Sequence, residues 1–244
     1  MPVLLHIQNV YKSYEALPSL RSVSLELSVG ETYGLIGLNG AGKTTLIKCM
    51  LDLQRANSGT ITIAGIDSGD RMARAQLVYM PEKFAPPDYM NGMDYLVYIN
   101  RAHRQKALPK GKLQKQAFSL CDELELDNTA LSKSVRAYSK GMLQKLGLIG
   151  CLLSDKPFLI LDEPMSGLDP KARVLFRTAI QRLKEAGKTV LLCTHILNDI
   201  EILCDRVGIL HQGQLLFSGT PQECCERFSA NDLEQAFLNC LQTS

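Results

Sequence analysis

The stretch Gly37-Leu38-Asn39-Gly40-Ala41-Gly42-Lys43-Thr44-Thr45 constrains the fold of this chain more than any other. It matches G-x-x-x-x-G-K-[ST], a loop that cradles phosphate groups. A triphosphate needs many donors converging on its oxygens, and backbone N–H groups crowd in only where side chains are absent. Gly37, Gly40 and Gly42 allow that approach, with Asn39, Ala41 and Thr45 completing the loop. Lys43 would place a compact positive charge on the β- and γ-phosphates, and Thr44 would offer a hydroxyl to Mg²⁺. The loop needs a strand before it and a helix after it. Tyr33 to Ile36 reads as that strand, and Thr45 to Leu51 carries no breaker and reads as that helix. The helix N-terminus would aim its partial positive charge at the phosphates.

Around this centre the pattern is that of an α/β chain. Leu5, Ile7 and Asn9 interleave with His6, Gln8 and Val10, and Val23, Leu25 and Leu27 alternate with Ser24, Glu26 and Ser28. Such alternation predicts half-buried strands of an N-terminal antiparallel β subdomain. Tyr14 lies between these strands, either as a structural residue or as a ring that stacks on a nucleobase. Further strands are expected at Gly59 to Gly65 and at Gln76 to Met80, the second ending at Pro81-Glu82. Lys83 to Tyr89 is too rich in proline for a helix or a central strand. Residues 88–156 then read as an inserted helical subdomain, with Leu113, Ala117, Leu120 and Leu124 on one helical face. Phe158 to Leu161 and Thr189 to Thr194 are continuous apolar runs, as parallel strands buried on both faces require. A helix from Lys171 to Ala186, closed by Gly187, separates them. Val207 to Phe217 reads as a hairpin, and residues 221–244 as a helical tail.

Four of these strands end in polar residues: the phosphate loop, Glu82, Asp162-Glu163 and His195. Open parallel sheets bind ligands beyond the carboxyl ends of their strands. The four groups are therefore expected to converge on one nucleotide. Asp162 would hold Mg²⁺, directly or through water. Glu163 would orient or deprotonate an attacking water, a role worth ~10²–10⁴-fold in rate. His195 would donate to the γ-phosphate. Ser139-Lys140-Gly141-Met142 is a second anchor, a serine-capped helix start suited to an anion.

Composition excludes several alternatives. With 244 residues, 45% hydrophobic and 21% charged, the chain can bury a substantial core. A net charge of +2 gives no reason to expect a nucleic-acid partner. No apolar run approaches the ~20 residues of a membrane span, and Glu15, Arg21 and Glu26 interrupt any signal-like core. The eight cysteines are scattered without a C-x-x-C pair, and Cys193 with His195 makes too few ligands for a zinc site. Reduced thiols in a cytoplasmic protein are expected.

In this order the motifs resemble those of the ATP-binding subunit of an ATP-binding-cassette (ABC) transporter, from about Tyr14 to Pro221. Under that resemblance Tyr14 is the aromatic A-loop, Gly37 to Thr45 is Walker A, and Glu82 holds the Q-loop position. Tyr138 to Met142 is the signature, and Phe158 to Glu163 is Walker B with its adjoining glutamate. Ser166 to Asp169 matches the D-loop, and His195 the switch histidine. The resemblance implies a P-loop NTPase core with a mainly parallel sheet, and residues 1–244 as a single ABC domain. It implies ATP and Mg²⁺ as cofactors, with Lys43, Glu163 and His195 catalytic. Thr44, Asp162 and Glu82 would hold the metal, and Tyr14, the Walker A residues, Glu82, Ser139, Gly141 and Asp169 the nucleotide. A second copy or a similar cassette would pair head to tail, each signature helix capping the other chain's ATP. Permease subunits would carry the pair on the inner face of the membrane. Lys140 stands where the usual signature has its first glycine, Met142 where it has glutamine, Glu82 where the Q-loop has glutamine, and Gly167 where alanine is common. These substitutions resemble those of bacterial cassettes in export systems with a separate permease. A soluble single-cassette assembly ATPase is the alternative. A scaffold without turnover fits less well, because it could dispense with Glu163.

Overall fold

The computed structural model describes residues 2–15, 17–104 and 106–242, so the last two residues of the expected tail lie outside it. The described strands are β1 (Val3–Tyr14), β2 (Leu17–Ser28), β3 (Thr32–Ile36), β4 (Ser58–Ile63), β5 (Ile66–Asp67), β6 (Leu77–Met80), β7 (Phe158–Asp162), β8 (Thr189–Cys193), β9 (Arg206–His211) and β10 (Gln214–Gly219). The helices are α1 (Lys43–Met50), α2 (Arg71–Arg74), α3 (Gly92–His103), α4 (Lys110–Glu123), α5 (Lys140–Ser154), α6 (Pro170–Glu185), α7 (Leu197–Leu203), α8 (Pro221–Arg227) and α9 (Leu233–Gln242). Two 3-10 turns, Asn128–Ser132 and Val135–Ala137, precede α5.

The larger sheet runs β10-β9-β3-β8-β7-β6. Every pairing from β9 to β6 is parallel, and β10 closes one edge as an antiparallel hairpin with β9. β3, β7 and β8 are buried at every position. The alternation of their side chains explains this. Tyr33, Leu35, Phe158, Ile160, Leu191 and Cys193 enter one core with α1 and the smaller sheet. Ile36, Leu159, Leu161, Val190 and Leu192 enter the other, with the remaining helices. A strand that feeds two cores has no polar face, which is why these runs are continuously apolar.

The smaller sheet is antiparallel, ordered β2-β1-β4-β5. One expected detail is corrected here. Simple alternation puts Asn9 on the face of Leu5 and Ile7, but Asn9 is exposed and Val10 is fully buried. Asn9 adopts φ 50°, and the register with β2 shifts between Ile7 and Val10. A bulge at this point inverts the inward phase, and Ser24 Oγ accepts the Asn9 N–H at 2.9 Å.

Helices α3 to α5 lie between β6 and β7 in the chain. On α4 the expected face is modified: Leu113 and Ala117 are buried, but Cys121 is fully buried while Leu120 is half-buried. α5 lies close against its neighbours because Gly147 carries no side chain. A β-carbon there would sit 3.1 Å from Met80 Cε and 3.2 Å from the Phe84 ring.

Candidate functional site

The loop after β3 turns directly into α1. Gly42 caps the helix at φ 111°, and no acidic residue in the first turn offsets the positive end. A β-carbon on Gly37 would approach the Leu210 carbonyl oxygen to 2.3 Å, and one on Gly42 the Ser19 carbonyl oxygen to 2.7 Å. Bare backbone is therefore required at both positions. Lys43, buried in its stem, donates to the Gly37 carbonyl at 2.6 Å and to that of Leu38 at 3.4 Å. The ammonium is thus held over the loop whose phosphate it would meet.

The carboxylates stand at adjacent strand ends. Asp162 ends β7 and is 3% exposed. Burial, then the charges of Glu163 and Glu82, push its carboxyl up to about 6, against the opposing pull of Lys43. The Tyr79 hydroxyl lies 3.4 Å from Asp162 Oδ2, and burial pushes that phenol well above its ordinary range. Glu163 takes the left-handed conformation, φ 49°, and its N–H donates to the Cys193 carbonyl at 2.8 Å. That ladder contact holds a strained residue in place beside the reacting groups. Glu163 Oε1 lies 2.9 Å from His195 Nδ1, and the Thr194 hydroxyl donates to Oε2 at 3.3 Å. The Glu163 side chain is 9% exposed and that of His195 58%, so the histidine shields the carboxylate and remains reachable from outside.

One cavity of about 430 Å³ gathers these groups: Leu38 to Thr45, Glu82, Asp162, Glu163 and His195. Among the described residues no three His, Cys, Asp or Glu side chains form a closed metal cluster. The donors Thr44, Asp162 and Glu82 are all oxygens, which suits Mg²⁺ with several water ligands. The raised Asp162 carboxyl marks negative charge that a cation would relieve. The glycine cradle and Lys43 fit the phosphates of a nucleotide.

The ABC transporter family model matches residues 20–166. This chain belongs to that family. It is 42% identical over 210 residues to an uncharacterised ABC transporter ATP-binding protein of Synechocystis sp., covering 86% of this chain but only 58% of that relative. It is 35% identical over 222 residues to the Nod factor export ATP-binding protein I of Burkholderia orbicola, covering 90% of this chain and 71% of that protein. A solved ATP-binding subunit of an ABC transporter superposes with a TM-score of 0.89 at 31% identity, over 98% of this chain and 99% of that one.

Five expected site residues of the cassette lie outside the cavity lining: Tyr14, Gly37, Ser139, Gly141 and Asp169. Gly37 is buried beneath the loop. Tyr14 ends β1, 42% exposed, bonded to Gln54 and with the Lys12 ammonium 5.3 Å from its ring centre. Ser139 Oγ accepts the Met142 N–H at 3.2 Å and so caps α5. A β-carbon on Gly141 would lie 3.7 Å from Leu168, which places the start of α5 on the loop before α6. Asp169 caps α6, and the Ala172 N–H holds its carboxyl below the usual range.

Three neighbours of the site carry no motif. Ser19 on β2 lines the cavity and bonds Thr45 Oγ1 at 2.9 Å. Tyr79 meets Asp162 as described. Gln144 on α5, 2% exposed, donates to the Glu82 carbonyl at 3.3 Å. The only available signal was Tyr79's position just before the end of a strand that finishes at the site. Within the proline-rich segment the two aromatic residues part company at Phe84. It turns inward, with its ring edge-on to Tyr95 at 5.2 Å, while Tyr89 remains 84% exposed.

Proposed function

We propose that this cassette binds and hydrolyses ATP to drive a membrane transporter in the export direction. The observation that carries the reading is the Glu163–His195 pair at 2.9 Å, in one cavity with Lys43 and Asp162. Lys43 and the loop amides would bind the phosphates. Thr44, Asp162 and Glu82 would hold Mg²⁺, which supplies charge neutralisation on the phosphate oxygens when bound. Glu163 would take a proton from the attacking water, and His195 would hold the Glu163 carboxylate and donate towards the γ-phosphate. Tyr14 would stack on the base.

Ser139, Gly141 and Asp169 lie outside the cavity of their own chain. This supports a head-to-tail pair in which α5 of one copy, or of a similar cassette, caps the nucleotide of the other. Among the described residues no helix is long and apolar enough to cross a membrane; permease chains would supply the membrane part in this reading. The cassette would then sit on the cytoplasmic face. Export is supported by the name of the Burkholderia relative and by the substituted signature Ser139-Lys140-Gly141-Met142. Residues 1–244 would act as one ABC domain.

Glu163→Gln tests the reading. The variant keeps shape and hydrogen bonding but loses the proton acceptor, so hydrolysis should fall at least ~10²-fold while ATP still binds. A dimer should persist with ATP, and vanish with ADP or after a further Ser139→Arg change. Size-exclusion chromatography with light scattering reads the mass. Normal hydrolysis removes Glu163 from its role, and an inactive monomer with ATP breaks the paired arrangement.

A further inference from the structure

Gln144 is a costly residue for its location. It is buried within α5, and its Oε1 is buried with no hydrogen-bond partner among the described residues. An unsatisfied buried acceptor costs stability, and an apolar residue of equal size would remove the cost. Among the described residues its side chain makes one hydrogen bond, Nε2 to the Glu82 carbonyl at 3.3 Å. That carbonyl belongs to a residue that is exposed as a whole, unlike Gln144.

The contact is placed where it matters for the chemistry. Glu82 follows β6 immediately, and its side chain lines the cavity with Asp162 and Lys43. The segment from Met80 to Phe84 runs along α5, against Gly147 on one side. Apolar packing against Gly147 holds the flanks of this segment at Met80 and Phe84, and the bond from Gln144 reaches the Glu82 backbone between them.

We infer that Gln144 is a positioning residue for the site: its amide ties α5 to the Glu82 backbone and keeps the Glu82 carboxylate facing the metal position beside Asp162. Because Ser139 begins the same helix, this tie would also connect a second copy's nucleotide to Glu82, a corollary that rests on the paired arrangement proposed above. The tie itself is read within one chain.

The test compares Gln144→Met and Gln144→Asn with the wild-type protein. Methionine fills the volume without the bond, and asparagine keeps the amide but falls one methylene short of Glu82. Three quantities are measured: urea unfolding without ligand, ATP affinity in EDTA, and the Mg²⁺ dependence of turnover. In Gln144→Met the unfolding midpoint should equal or exceed the wild-type value, because an orphaned acceptor is removed. ATP affinity in EDTA should stay within about twofold, since the phosphate loop is untouched. The Mg²⁺ concentration for half-maximal turnover should rise and turnover should fall, each by about tenfold, the lower scale for losing a partner that orients a metal ligand. Gln144→Asn should reproduce the Mg²⁺ and turnover defects. A wild-type Mg²⁺ dependence in either variant overturns the inference. So does a loss of stability in Gln144→Met that parallels the loss of rate, which would make Gln144 a plain core residue. A monomeric Glu163→Gln variant with ATP would refute the pairing and leave this result readable.

Discussion

Asp162 should oppose the folding of the empty cassette, and the effect has a definite sign and pH window. The residue is 3% exposed at the end of β7. Burial first, then Glu163 and Glu82, raise its carboxyl from an ordinary 3.8 to about 6. A folded value above the unfolded value means that the protonated form suits the fold better. As pH rises from about 4 to about 6 the unfolded chain releases this proton first, and the folded state loses stability across that interval. Above it the loss is complete, at about 3 kcal/mol for a displacement of about 2 pH units. Asp162→Asn removes the ionisation and keeps an oxygen and an amide near the Tyr79 hydroxyl. At pH 8 and in EDTA the variant should therefore be the more stable protein by about 2–3 kcal/mol. For a chain of this size that is roughly 4–12 °C in melting temperature. Near pH 4 the two should unfold alike. Saturating Mg²⁺ and ATP should reverse the order at pH 8, because only the wild-type carboxylate gains a cation. Urea titrations at stepped pH provide the measurement. A stability difference that is the same at pH 4 and pH 8, or a variant weaker than wild type at pH 8 in EDTA, would refute the reasoning.

Lys43→Ala should weaken ATP binding by about 10–100-fold, the usual worth of a charge-assisted bond; calorimetric titration giving wild-type affinity would contradict the assignment of its ammonium to the phosphates. Tyr89→Asp should leave melting temperature and ATP turnover of the isolated cassette unchanged and uncouple transport in the assembled system, because the ring is exposed just beyond Pro86-Pro87. Phe84→Ala should instead cost about 1–3 kcal/mol by opening its contact with Tyr95 and α5, and equal thermal stability would show that its packing there is idle.

The catalytic outline was legible because each part of it is local. Gly37, Gly42 and Lys43 stand close together in the chain, a spacing that a sequence displays even though the carbonyls that crowd the two glycines, those of Leu210 and Ser19, come from other strands. The buried strands were legible because feeding two cores leaves β3, β7 and β8 no solvent-facing position, with Thr32, Asp162 and Thr189 confined to strand ends. What escaped depends on contacts between distant segments. The bulge at Asn9 is a single change of φ that inverts the burial phase, and nothing in the alternation around it announces the slip. Phe84 and Tyr89 look equivalent in a proline-rich segment, yet only Phe84 finds Tyr95 and the bare surface of Gly147. Ser19 and Gln144 reach the site across the fold through one hydrogen bond each, and one such bond leaves no periodicity to read.

Two of the departures from the usual motifs belong to the same class, because they meet in space. In sequence, Lys140 and Gly167 look like two separate substitutions. In space the lysine stem lies along the glycine: a β-carbon on Gly167 would sit 2.9 Å from Lys140 Nζ, 3.3 Å from Cε and 3.4 Å from Cδ. An alanine at 167 would oblige the lysine to move, and its methyl would also have to accept φ 76°. A long side chain at the start of α5 therefore suits a bare residue in the loop after Glu163. Ser166, which lines the cavity, is the next residue back, and its N–H donates to the Glu163 carbonyl at 3.1 Å. The two substitutions thus meet where the start of α5 touches the turn that carries Glu163. The lysine end is flexible and can yield to a methyl, so the firmer requirement for glycine at 167 is its φ of 76°.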